Sequence, residues 1–138
     1  MNIAEPGLAP NPEKSPYALM GGEQVVRSLV DAFYDQMDAD PDFFGIRKLH
    51  QPSLTGSRDK LFMFLSGWLG GPPLYVNTHG HPKLRARHLP FAIGEAERDQ
   101  WLACMQQAME RIGIEPDLRA QLMASFANTA DWMRNKAE

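Results

Sequence analysis

Apolar residues recur along this chain at three- and four-residue intervals, the spacing of one face of an α-helix. From about Glu23 to Met37 they fall at Val25, Leu29, Phe33 and Met37, with Val26, Val30 and Tyr34 alongside. That stripe predicts a core helix with Tyr34 on or near its buried face. A second stripe, Ser57, Leu61, Phe64 and Trp68, widened by Leu65 and Leu69, predicts a helix capped by Ser53 or Thr55 and ending near Leu69. Residues Leu61 to Leu65 are apolar almost all round, which predicts a helix sandwiched between neighbours. Trp101, Met105, Ala108 and Ile112, edged by Leu102 and Met109, mark a third helix that begins at Gly94 to Glu97 with acids in its first turn and ends at Gly113. Pro116 opens a fourth, striped by Leu118, Leu122, Phe126, Thr129 and Met133. No alternating strand pattern and no internal repeat competes with this reading, so the fold class is all-α.

Breaks separate the stripes. Gly21-Gly22 precedes the first long helix, and Asp40-Pro41 ends it. Asp42 to Leu49 reads as a short helical turn leading to the corner His50-Gln51-Pro52, where Pro52 keeps the chain from continuing as helix. Gly70-Gly71-Pro72-Pro73 stops the second stripe and opens a loop to about His79. Farther on, Pro90 biases Leu89 away from helical geometry, which places His88 in the last turn of a short helical segment. At the N-terminus, Met1 to Ser15 holds Pro6, Pro10 and Pro12 and few large apolar groups, and reads as a mobile tail before a domain at 16–138.

A chain of 138 residues suffices for one domain with a real core. Its 43% hydrophobic and 22% charged content is ordinary for a soluble globular protein. A net charge of -3 argues against nucleic acid as a partner, so the basic cluster His79, His81, Lys83, Arg85 and Arg87 is local and favours a small anionic ligand. Cys104 is the only cysteine, which excludes an intrachain disulfide and reads as a small buried hydrophobe. With no targeting signal and no apolar run of membrane-spanning length, the expectation is a cytoplasmic protein without a membrane partner. His79 and His81 form a His-x-His pair, but no Cys or carboxylate cluster nearby completes a tetrahedral zinc site.

The chemistry concentrates between Gly80 and Phe91. A neutral imidazole is the commonest metal ligand, and Arg85 and Arg87 beside His88 suit a ligand that carries carboxylates next to its metal. Haem is such a ligand. By spacing alone, a single His near two Arg residues is more often a surface or satisfied core histidine. By the same standard Tyr34 is a core tyrosine bonded to a carbonyl, Trp101 is core, and His50 is solvent-exposed.

Resemblance changes that balance. Gly80-His81-Pro82, Leu84-Arg85-Ala86-Arg87-His88, Pro90-Phe91 and Arg98-Asp99-Gln100-Trp101-Leu102 resemble the signature of the group II truncated haemoglobins, and the likeness runs from about Tyr17 to Met133. It implies a truncated two-over-two helical sandwich around haem b (iron protoporphyrin IX). His88 would be the proximal iron ligand, its other ring nitrogen donating to a backbone carbonyl. Tyr34, Trp101 and His50 would hold a ligand on the opposite side; an ungapped alignment would give the last of these positions to Leu49, whereas a one-residue gap in the corner gives it to His50. Ser57 stands where many globins carry a distal His, so no such His is expected on this helix. Leu61, Phe64, Trp68, Phe91 and Met105 would line the pocket with Ser57. Lys60, Tyr75, Arg85 and Arg87 are candidates for the propionates. The function implied is reversible binding of dioxygen and other diatomic ligands, as in oxygen transport, by a monomer or weak homodimer. Two alternatives stand beside it: a haem enzyme reducing peroxide or converting nitric oxide, which a reductase partner would favour, and a helical module that binds a non-haem anion.

Overall fold

In the computed structural model, residues 14–135 are described, and the expected tail up to residue 13 lies outside them. The helices are α1 (Pro16–Met20), α2 (Glu23–Ala39), a 3-10 turn (Pro41–Phe43) leading into α3 (Phe44–Arg47), α4 (Thr55–Trp68), α5 (Leu74–His79), α6 (Leu84–His88), α7 (Glu95–Arg111) and α8 (Pro116–Trp132). No strand occurs among the described residues. The long helices pack as the two-over-two sandwich: α2 against both α4 and α7, and α7 against α8.

The stripe on α2 is what the sandwich closes around. Val26, Leu29, Val30 and Phe33 are 0% exposed, and they share one core with Leu65 and Leu69, with Cys104, Met105, Ala108 and Met109 of α7, and with Leu122 and Phe126 of α8. Each Val, Leu, Phe or Met side chain among them contributes about 1.5–3 kcal/mol on burial. Outside this core, Arg58 on α4 pairs with Asp31 (3.1 Å) and Asp35 (2.7 Å) on α2, and Arg27 pairs with Asp59 (3.0 Å). Exposed pairs of this kind contribute about 0–1 kcal/mol each, so apolar contact rather than charge holds the helices together.

The α7 and α8 termini follow the sequence expectation. Glu97 Oε1 accepts from the Gly94 N–H at 2.8 Å, and the Glu115 carboxylate accepts from Asp117 N (2.7 Å) and Leu118 N (3.3 Å) beside Pro116.

Other expectations need correction. Ser15, assigned to the tail, is 2% exposed, and its Oγ accepts from Ala18 N at 3.2 Å to cap α1. Neither Ser53 nor Thr55 caps α4: Leu54 holds that position without a side-chain bond, and Ser53 Oγ accepts from the Thr55 N–H at 3.4 Å and donates to Thr55 Oγ1 at 3.3 Å. The corner is held instead by burial of Leu54 and by Arg47, which donates to Gln51 O (2.9 Å) and Pro52 O (2.8 Å) and pairs with Asp38 (2.8 Å). The loop expected up to His79 contains α5. Pro73 O accepts from Asn77 N at 3.0 Å, Gly80 N closes the helix on Val76 O at 2.9 Å, and Tyr75, 8% exposed, anchors it. Nor is Gly70-Gly71 merely a break. A Cβ on Gly70 would lie 2.7 Å from Ser15 Cβ, and one on Gly71 would enter the Tyr17 ring, so the pair forms the seat of α1, whose Tyr17 N–H donates to Leu69 O at 3.0 Å.

Candidate haem and ligand site

Helix α6 carries the candidate iron ligand. Its entry is made by Pro82 and by Lys83, whose φ of 50° lies in the left-handed region, and Arg87 N donates to Lys83 O at 3.0 Å in the first turn. Its exit is made by Pro90, with Leu89 N on Ala86 O (3.3 Å) and Phe91 N on His88 O (3.0 Å). His88 therefore occupies the last turn, half-buried. Its Nδ1 lies 2.6 Å from Leu84 O. A carbonyl only accepts, so Nδ1 carries the proton and Nε2 presents a lone pair.

The residues expected on the ligand side lie on α2, the corner after α3, and α7. Tyr34 is 5% exposed, with its ring edge-on to Phe33 (5.0 Å between centroids, 81°) and to His50 (5.7 Å, 80°). The His50 ring thus meets the Tyr34 ring. Burial pushes the Tyr34 phenol well above its ordinary pKa; Arg58, whose guanidinium lies over the ring, opposes this and Cys104 adds to it. The hydroxyl accordingly stays a donor at any physiological pH. Trp101 packs 5.3 Å from Phe33 and 5.4 Å from Phe126, and Phe126 stacks on Trp68 at 4.7 Å and 15°. A continuous line of rings, His50, Tyr34, Phe33, Trp101, Phe126 and Trp68, results. Phe33 and Phe126, its connecting members, were legible in the sequence only as core positions.

His50 Nδ1 lies 2.9 Å from Ile46 O. Burial lowers the His50 pKa from its usual value, the Ile46 carbonyl opposes that, and the electrostatic influence of Arg47, then of His88, lowers it further. Neutral His50 therefore protonates Nδ1 and offers an acceptor at Nε2.

The remaining predicted residues spread unevenly. Ser57, Leu61, Phe64 and Trp68 are half-buried along α4, the last three packed on the edge of the core. Phe91 is 41% exposed beside His88, whereas Met105 is wholly buried. Arg87 donates from Nε to Pro82 O (2.8 Å), its guanidinium 5.9 Å from the Tyr75 ring centre. Lys60 is exposed on α4, and Arg85 is placed by its backbone in α6. The His79 ring lies 4.8 Å from Tyr75, and His81 Nδ1 accepts from Lys83 N at 3.0 Å. Among the described residues no three metal-ligating side chains cluster, and no helix is long and apolar enough to cross a membrane. Cys104 is buried and bonded to Phe33 O (3.2 Å), and burial pushes its thiol up to about 12.

A family model for bacterial-like globins matches residues 15–135. Group 2 truncated haemoglobin YjbI of Bacillus subtilis (strain 168) is 41% identical over 124 residues, covering 90% of this chain and 91% of that one. The chain belongs to the group II truncated haemoglobins. Among solved structures, the cold-adapted truncated haemoglobin of the Antarctic marine bacterium Pseudoalteromonas haloplanktis TAC125 superposes with a TM-score of 0.87 at 42% identity, covering 90% of this chain and 100% of that one. A truncated oxygen-avid haemoglobin from Bacillus subtilis superposes with a TM-score of 0.81 at 41% identity, covering 88% and 100%.

A truncated haemoglobin binds haem, and the residues of this one fit that group. His88 Nε2, the Tyr34 hydroxyl and the Trp101 indole N–H have no hydrogen-bond partner among the described residues. None of the three is a fully buried atom without a partner, so each is open to hydrogen-bond or coordinate a group bound from outside. Beside them, the half-covered apolar strip of Leu61, Phe64 and Trp68 has the character a flat, largely apolar macrocycle requires.

Proposed function

We propose that this truncated haemoglobin holds iron protoporphyrin IX through His88 Nε2 and binds dioxygen reversibly but tightly. One observation carries the reading: an imidazole whose Nδ1 is committed to Leu84 O at 2.6 Å, leaving Nε2 as a free lone pair, occurs together with two donors, Tyr34 and Trp101, that have no partner among the described residues. A bound haem supplies an iron with one coordination position open to a diatomic ligand. The protein's part is to set that ligand's surroundings. Tyr34 and Trp101 offer hydrogen bonds to the partial negative charge that dioxygen draws on binding. Leu61 and Phe64 provide an apolar setting in which water competes poorly for those bonds. Arg87, Lys60, Tyr75 and Arg85 are the groups available to the propionates. Tight binding agrees with the oxygen-avid character of the Bacillus subtilis relative.

The test begins with the visible spectrum of the purified protein, where only haem gives an intense Soret band. His88→Ala should then lose the histidine-ligated spectrum while far-UV circular dichroism stays helical, because half-buried His88 contributes a ligand more than bulk to the core. A mutant that keeps the histidine-ligated spectrum would refute the assignment.

A further inference from the structure

A helix of five residues does not hold itself in place. Isolated helices shorter than about 12 residues are marginal in water, and α6 makes no extended contact with another helix among the described residues. Yet the direction of the His88 ring is what the site depends on. Part of what fixes it arrives from the far end of the chain.

Asn135, just beyond α8, makes four hydrogen bonds to the segment that starts at His88. Its backbone N–H donates to Ile93 O (2.8 Å), and its Oδ1 accepts from Ile93 N (3.0 Å). Its Nδ2 donates to Phe91 O (2.8 Å) and to His88 O (3.2 Å). The partners force the orientation of the carboxamide, since the two carbonyls can only accept and the Ile93 N–H can only donate. His88 O also accepts from Phe91 N at 3.0 Å, so both lone pairs of a carbonyl that has no partner within its own helix are occupied. His88 is thus held at both ends, its ring by Leu84 O and its backbone by Asn135. The anchor is itself anchored. Ile93 is 8% exposed, and Asp131, one turn before Asn135, pairs with Arg98 (2.7 Å) and Arg134 (3.2 Å).

We infer that Asn135 is a positioning residue for His88: by donating to the His88 carbonyl it sets the angle at which the imidazole meets the haem iron. The inference rests on His88 being the iron ligand. Partners one step removed from a metal typically govern it by ten- to hundredfold in affinity or activity, and such partners usually act on the ring. Here the hold is on the backbone.

The holoprotein tests this with three variants and two readouts, the iron–histidine stretching band of the ferrous form and the rate of haem transfer to excess acceptor apoglobin. Asn135→Asp is the deciding variant, because it has the same size, retains an acceptor for the Ile93 N–H, and turns both donated bonds into repulsions between oxygens. We expect its band to shift or broaden, with haem lost at least roughly tenfold faster, and Asn135→Ala to follow. Ile93→Ala removes burial from the same junction without touching the His88 carbonyl, and should move the band less. An Asn135→Asp band superimposable on that of the wild type overturns the inference, whatever the rate of haem loss. So does an Ile93→Ala band displaced equally far, since the hold would then be packing. A wild type without any iron–histidine band would remove the His88 reading as well, which distinguishes the two failures.

Discussion

A carbonyl cannot donate, and that fact assigns the tautomer of two imidazoles. His88 and His50 each pass Nδ1–H to the carbonyl four residues back, Leu84 O and Ile46 O, and each turns an Nε2 lone pair outward. For His88 this is the state a metal requires. For His50 it means that the neutral ring offers an acceptor, not a donor, at Nε2. Burial, with Arg47 and His88, holds its pKa below the ordinary 6.5, so the second proton arrives only at lower pH. The sign follows. Above pH 6.5 oxygen release should be independent of His50; as pH falls through the lowered pKa, Nε2 gains a proton, becomes a donor, and release should slow. The unfolded chain takes that proton first, so stability should also decline as pH drops below 6.5. Stopped-flow release measured over about pH 5 to 8 should show this bend in wild type and a flat line in His50→Phe. Identical profiles would leave His50 without a role at the ligand. The position of His88 was legible because Pro90 dictates where α6 stops. The tautomers were not, since they depend on which backbone oxygen each ring meets, and Asn135 reads in sequence as one more solvated amide near a terminus.

Among the elements, length decided what could be read. α2, α4, α7 and α8 each run for several turns, enough for an apolar stripe to repeat, and all were placed within a few residues of their bounds. α5, with six residues, is too short to show a period, and its Pro72-Pro73 entry looked like a loop signal. The role of Gly70-Gly71 was hidden for a different reason: a glycine that ends a helix and one that admits a neighbouring ring are the same letter. The packing separates them. Gly71→Ala would drive its Cβ into the Tyr17 ring and dislodge α1, and overpacking of this kind costs about 1–3 kcal/mol. Gly56→Ala serves as the control, because a Cβ there meets nothing within 4 Å. Urea unfolding should show a lower midpoint for the first substitution and no loss for the second. Equal midpoints would mean that α1 is not seated on the glycine pair.

At the scale of the whole molecule, the line of rings from His50 to Trp68 runs through residues of α2, α4, α7 and α8, so Tyr34 and Trp101 sit within the same packing that holds the sandwich together. Phe33, 0% exposed, packs against both Tyr34 and Trp101, so the two rings rest on one core residue. Donors held this way lose little on meeting a ligand, because the ordering was done when the protein folded. Each hydrogen bond to a charged acceptor contributes about 1.5–3 kcal/mol, roughly a ten- to hundredfold change in dissociation rate where the loss falls on that step. On the proposed reading, two such donors would retain oxygen too long for bulk delivery and would suit sensing, scavenging or redox chemistry. Tyr34→Phe and Trp101→Phe each remove one donor while keeping an aromatic ring in the line, so each should speed oxygen release by that factor with little change in helical content. Stopped-flow release from the wild type and both variants decides it. If neither substitution speeds release, the two side chains do not reach the ligand, and oxygen affinity is set from the His88 side.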